Sequence, residues 1–250
     1  MARRHRYRKT KRAAHRAPSL VAACVACFSW AGVAVAEPVL RDVNGDGSVE
    51  VLAFGDSITY GVGDGTQPGQ YVPSITVVGP PRGYPLRLSS LVGVSVLNAG
   101  IPGEELVGRG KIESGVDRFP SVVVGSSADV VIIKEGVNDS FHLQSAAEVS
   151  TALQRLINVG RAAGKEVVIA TLAPPTGHHA SQRQFTQVYS ESIRELAFLN
   201  SVPLADIEQV FVMGCADLGT CQYYNLPEGL HPNTVGYDAI AEEMASVLGG

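Results

Sequence analysis

Five short apolar runs recur along the chain: Val49 to Phe54, Val94 to Leu97, Val130 to Ile133, Val167 to Thr171 and Val202 to Ile207. Runs this short and this rich in β-branched residues suit strands buried on both faces. The segments between them, Tyr84 to Leu91, Ser145 to Ala163, Gln182 to Leu199 and Thr234 to Leu248, read as helices. In the third, Phe185, Val188, Ile193, Leu196 and Leu199 approximate one apolar face, with Glu191, Arg194 and Glu195 elsewhere. Strand then helix, repeated, implies a parallel sheet with helices on both sides, because each crossover must return over a face of the sheet. In such sheets ligands bind outside the strand carboxyl ends.

Chemistry-bearing residues gather at those ends. Gly55-Asp56-Ser57-Ile58-Thr59-Tyr60-Gly61 follows the first run, so a serine hydroxyl sits in an open turn beside unpaired helix N-terminal amides that could stabilise an oxyanion. Gly-Asp-Ser is also ordinary turn chemistry. Asn98 to Gly103 follows the second run, and Glu135-Gly136-Val137-Asn138-Asp139 follows the third. Far downstream, Glu228-Gly229-Leu230-His231-Pro232-Asn233 precedes the last helical segment. A serine is a poor nucleophile until a base takes its proton, and a neutral imidazole serves only when another group fixes its tautomer. Glu228, three residues before His231, can bind one ring nitrogen and leave the other to Ser57.

In this order and spacing the four segments resemble the SGNH hydrolases, also called GDSL esterases and lipases, over roughly Val49 to Leu248. The resemblance implies a three-layer α/β/α sandwich with a central parallel sheet, flavodoxin-like in class. It also implies Ser57 as nucleophile and His231 as base, with an oxyanion hole made of the backbone amides of Ser57 and Gly103 and the side-chain amide of Asn138. One position departs from the pattern. The family usually has aspartate three residues before the histidine, where this chain has Glu228, one methylene longer; a glutamate can fill the role, or the histidine can work with backbone support.

The first 36 residues read as an export signal. Arg3, Arg4, Arg6, Arg8, Lys9, Lys11, Arg12 and Arg16 form a basic stretch without an acid, Leu20 to Val35 is largely apolar, and Ala34-Val35-Ala36 is a small-x-small cleavage pattern. The alternative is an N-terminal membrane anchor, against which Ser19, Ser29 and Gly32 interrupt a stretch already short for a span of ~20 residues. Cleavage removes eight of the 20 Lys and Arg and none of the 24 acids, taking the formal charge from −4 to −12. So acidic a protein is repelled by phosphate backbones, which argues against nucleic acid as a partner. No later stretch is long and apolar enough for an integral membrane span. The expected location is secreted or periplasmic.

The remaining residues divide into a short calcium-loop-like linker, 37–48, and one hydrolase domain, 49–250. In the linker Asp42, Asn44 and Asp46 alternate as in the front of a calcium loop, with glycines at the turn. The twelfth position, where a bidentate glutamate belongs, is Ala53, and Asp and Asn also make turns without any ion. Cys215 and Cys221 are left as a pair once Cys24 and Cys27 depart with the signal, and in an oxidising compartment they should form a disulfide. A free pair, or two metal ligands, is the alternative. His178 and His179 suggest metal, but without an acid close in sequence they fit solvent exposure or substrate contact better. His142 receives no role. In the Gly- and Pro-rich stretch from Gly61 to Gly83, Tyr71, Val72 and Ile75 are candidates for acyl-side or lid residues, or parts of a packed surface loop.

The expected function is hydrolysis of carboxylic esters through an acyl-enzyme, with no cofactor. A carbohydrate O-deacetylase would use the same residues on an acetylated polysaccharide. The sole tryptophan, Trp30, falls in the signal, so a sugar platform would rest on tyrosines such as Tyr71, Tyr223 and Tyr224. A non-catalytic secreted binding module is the reading from another class, and retention of Ser57, Gly103, Asn138 and His231 together argues against it.

Overall fold

The computed structural model describes residues 38–65, 83–108 and 113–249. The expected signal segment and Tyr71, Val72 and Ile75 lie outside these residues. Five strands, β1 (Glu50–Gly55), β2 (Ser95–Gly100), β3 (Val130–Lys134), β4 (Glu166–Ala170) and β5 (Leu204–Ala205), form one parallel sheet in the order β2-β1-β3-β4-β5. Val51 pairs with Val96 on one side and Val130 on the other. The chain runs outward from β1 to β2, then crosses back to β3, so the order reverses beside β1. That reversal opens a crevice at the carboxyl ends of β1 and β3.

Alternation along β1 builds two cores. Val51 and Ala53 face a cluster that includes Ile58, which lies just after β1, and Tyr84, Leu88, Phe211, Tyr237, Ile240 and Met244, from α2 (Gly83–Val92), α6 (Ile207–Gly214) and α7 (Thr234–Leu248). Leu52 and Phe54 face Phe119, Leu153, Ile157 and Ile193, from α3 (Gly115–Val124), α4 (Ala146–Ala162) and α5 (Arg183–Asn200). α2 packs on α7, and α4 lies between α3 and α5. The three-layer α/β/α sandwich expected from the alternation is the observed fold. The four expected helices match α2, α4, α5 and α7 to within a residue or two.

Three expectations change. α3 has no place in the sequence reading because Pro120 lies inside it, where a missing N–H normally breaks a helix; Ser114 caps it, accepting from the Asp117 amide. The expected last strand, Val202 to Ile207, shrinks to Leu204–Ala205 because the Asp206 carboxylate accepts from the Gln209 amide and starts α6 at once. The second run forms an edge strand, with Leu97 40% exposed rather than buried.

The linker folds as a string of Asx turns. Asp42 accepts from the Gly45 and Gly47 amides, Asn44 from Asp46, and Asp46 from Ser48, while Asp129 binds the Val43 and Asn44 amides. The oxygens proposed for calcium thus serve backbone amides, and among the described residues no group of three or more His, Cys, Asp or Glu could hold a metal ion. Cys215 and Cys221 are joined as a disulfide. No helix among the described residues is long and apolar enough to cross a membrane.

Candidate active site

Ser57 is the first residue of α1 (Ser57–Tyr60), directly after β1, and Asp56 accepts from the Ile58 amide at 2.8 Å. In Gly-Asp-Ser the aspartate is therefore the cap and the serine is the residue presented. His231 comes from the loop before α7. Asn225 and Asn233 hold that loop: the Asn225 side chain donates to the Pro232 and Gly63 carbonyls, and that of Asn233 to Gln222 and Tyr224. Asn233 also caps α7 by accepting from the Gly236 amide.

The imidazole links two groups. His231 Nε2 lies 3.0 Å from Ser57 Oγ, and Nδ1 lies 2.8 Å from Glu228 Oε1. The second carboxylate oxygen, Glu228 Oε2, accepts from the Leu230 and His231 amides at 2.9 Å each. Burial opposes the charge on Glu228, but hydrogen bonds from His179, His231 and the backbone outweigh it and hold its carboxyl far below the usual range. An ionised carboxylate only accepts, so Nδ1 carries the proton and Nε2 is left as the acceptor for the Ser57 hydroxyl. The extra methylene of Glu228 does not carry its carboxylate past the ring.

Asn138 begins the 3-10 turn Asn138–His142 after β3, and its Nδ2 donates to the Glu104 carbonyl at 2.7 Å. A carboxamide has two N–H donors, so one remains for a ligand. The following residue ties this turn to the Gly103 loop: Asp139 accepts from the Leu106 amide at 2.8 Å and the Val107 amide at 2.9 Å. Burial raises the Asp139 carboxyl to about 6 despite those two amides. On the other side Arg118 binds both oxygens of Glu104 and lies 4.0 Å from the centroid of the Phe54 ring.

Beneath this loop Glu135 is fully buried, and its carboxyl is pushed well above the usual range, first by burial and then by the charges of Asp56 and Glu104. A raised folded-state value means stability that is fully present below the unfolded value and is lost as pH rises through the folded one. Glu135→Gln keeps the shape without that liability. The variant is expected to match wild type in urea midpoint at about pH 3.5, below the ordinary glutamate value, and to exceed it at pH 8 or above, a tenfold difference in proton affinity between the folded and unfolded chain being worth about 1.4 kcal/mol. Equal midpoints at both pH values would show that Glu135 is ionised at no such cost.

Ser57, Gly103, Asn138, Glu228 and His231 share one cavity of about 630 Å³ with Pro102, Phe141, His142, His179 and Leu230. The structure thus brings together all five site residues expected from sequence. It also adds some. His178 is exposed, but His179 reaches the carboxylate of Glu228 at 3.5 Å and rests edge-on against Phe141. His142 Nδ1 lies 3.1 Å from Glu105. Nothing in the sequence linked His179 to Glu228, because the contact depends on how two distant loops meet.

Residues 53–239 match the model of the GDSL-like lipase/acylhydrolase family. The chain belongs to this family. Its GDSL fold is also that of the lipase/acylhydrolase from Enterococcus faecalis, at 21% identity and a TM-score of 0.61 over 80% of this chain and 96% of that one. A member of the lipolytic protein G-D-S-L family from Veillonella parvula is similar at 19% identity and a TM-score of 0.61, covering 80% and 98%. A catalytic mutant of an acetylxylan esterase from Geobacillus stearothermophilus follows at 18% and 0.58, covering 80% and 94%. No curated protein matches this GDSL chain by sequence.

Proposed function

We propose that the chain is an exported serine esterase that hydrolyses carboxylic esters through an acyl-enzyme. The observation that carries this reading is the unbroken hydrogen-bonded series from Ser57 Oγ through His231 to Glu228 at the wall of a 630 Å³ cavity. Ser57 attacks the ester carbonyl while His231 Nε2 takes its proton. The resulting oxyanion is met by the amides of Ser57 and Gly103 and by Asn138. His231 then protonates the departing alcohol, and water, activated by the same nitrogen, releases the acid. Pro102, Phe141 and Leu230 give the cavity an apolar wall suited to an acyl group. Export is supported by the basic-apolar N-terminal sequence and the Cys215–Cys221 disulfide.

A fluorophosphonate probe tests the nucleophile: labelling at Ser57 in wild type and none in Ser57→Ala is expected, and an unlabelled wild type leaves only a binding module. Turnover of p-nitrophenyl esters from acetate to palmitate, beside acetylated xylan, then separates an acyl esterase from a polysaccharide deacetylase. Asn138→Ala is expected to lower kcat by about 10² to 10³-fold with little change in KM, as for loss of one oxyanion donor. Since Asn138 also binds Glu104, the melting temperature must be measured alongside. A kcat unchanged in a folded variant would remove Asn138 from the oxyanion hole.

A further inference from the structure

We propose that His179 is a positioning residue for this reaction, a second imidazole on Glu228 that shares the acid with His231. The inference rests on the esterase reading. His179 Nε2 stands 3.5 Å from Glu228 Oε1, the same oxygen that accepts from His231 Nδ1 at 2.8 Å. With Oε2 taken by two backbone amides, Oε1 is where the two imidazoles meet.

This meeting is built into the backbone. The Thr176 amide donates to the Gly229 carbonyl at 2.7 Å, and the His178 amide to the Pro227 carbonyl at 2.8 Å, on either side of Glu228. Such an approach leaves no room for side chains: a Cβ on Gly177 would lie 2.2 Å from the Pro227 oxygen, and one on Gly229 2.3 Å from the Thr176 oxygen. Both glycines also have positive φ, at +50° and +79°. The His179 amide turns back to the Thr176 carbonyl, and its ring stacks edge-on against Phe141 at 5.3 Å between centroids. The loop after β4 is thereby fixed to the loop of the triad acid with His179 aimed at its carboxylate.

A second donor on Oε1 draws negative charge away from the His231 Nδ1–H, so the bond between His231 and Glu228 tightens when that donor is removed. The charged and titratable neighbours are His178 beside it, Arg183 bonded to the Pro175 carbonyl, His142 with Glu105 on the cavity, and the buried phenols of Tyr224 and Tyr237. Replacing His142 by Gln in every background removes the other imidazole on the cavity from the titration.

In that background, His179→Phe keeps the ring on Phe141 and loses the donor, whereas His179→Gln keeps an N–H. The acidic limb of the kcat/KM profile is expected to rise by about 0.5 to 1 pH unit in the Phe variant, with the Gln variant nearer the parent. The Nδ1 proton of His231, read by NMR, should move downfield in the Phe variant as Oε1 is left to it alone. A uniform fall in kcat with the limb and the Nδ1 proton unmoved would overturn the proposal, as would a Gln variant identical to Phe. If the esterase reading itself fails, no variant turns over ester, yet the Nδ1 proton still reports whether His179 and His231 share the carboxylate.

Discussion

Ser57→Ala and His231→Ala are each expected to lower kcat by about 10⁴ to 10⁶-fold, and the double variant to fall little further, because the two act as one unit. The reason lies in the 3.0 Å contact between Ser57 Oγ and His231 Nε2. On the proposed mechanism no acyl-enzyme forms without the hydroxyl, and without the imidazole the hydroxyl keeps its proton. The cavity, the Gly103 loop and Asn138 remain in either variant, so KM should change far less than kcat. Losing one oxygen from Ser57 leaves its short helix capped by Asp56, and melting temperatures should stay close to wild type. Additive losses in the double variant would mean that the serine and histidine serve separate steps. Wild-type turnover by Ser57→Ala would sink the assignment of the nucleophile.

β1, β3 and β4 were legible because a strand buried on both faces needs an uninterrupted apolar run, and the four recognised helices because an amphipathic face repeats with their turn. α3 escaped because Pro120 argues against a helix locally, whereas packing of Phe119 and Val123 on the sheet decides the matter. Ser57, His231, Gly103 and Asn138 were legible as residues of one site because each follows a strand or precedes a helix at short range. Glu228 was legible for a similar reason, being three residues from His231. His179 was not, since its contact exists only where Gly177 and Gly229 let two backbones touch. Asp139 sits next to Asn138 in sequence, but its work of holding the Leu106 and Val107 amides involves a loop that sequence alone does not bring near.

Glu228→Gln should lower kcat by about 10³ to 10⁴-fold while leaving the protein folded, the loss typical when a triad carboxylate becomes an amide. Glu228 Oε2 serves the Leu230 and His231 amides, and the amide oxygen of glutamine can take over that task. Its nitrogen then faces His231 Nδ1 and offers N–H where the ring also carries one. The imidazole relieves the clash by moving its proton to Nε2, which makes it a donor toward Ser57 and useless as a base. The same N–H would oppose any donor on His179 Nε2, now 3.5 Å from the acid. The native carboxyl is held below its ordinary value, so the stability linked to its charge is present above the unfolded value and is lost only as pH falls through the folded one. Glu228 therefore stays ionised on mild acidification. Glu228→Asp tests reach: a shorter arm must move the loop inward, at the expense of the amide bonds to Oε2, and should keep more activity than Glu228→Gln. Full activity in the Gln variant would reduce the triad to a Ser57–His231 dyad with the carboxylate acting only as a brace for its loop.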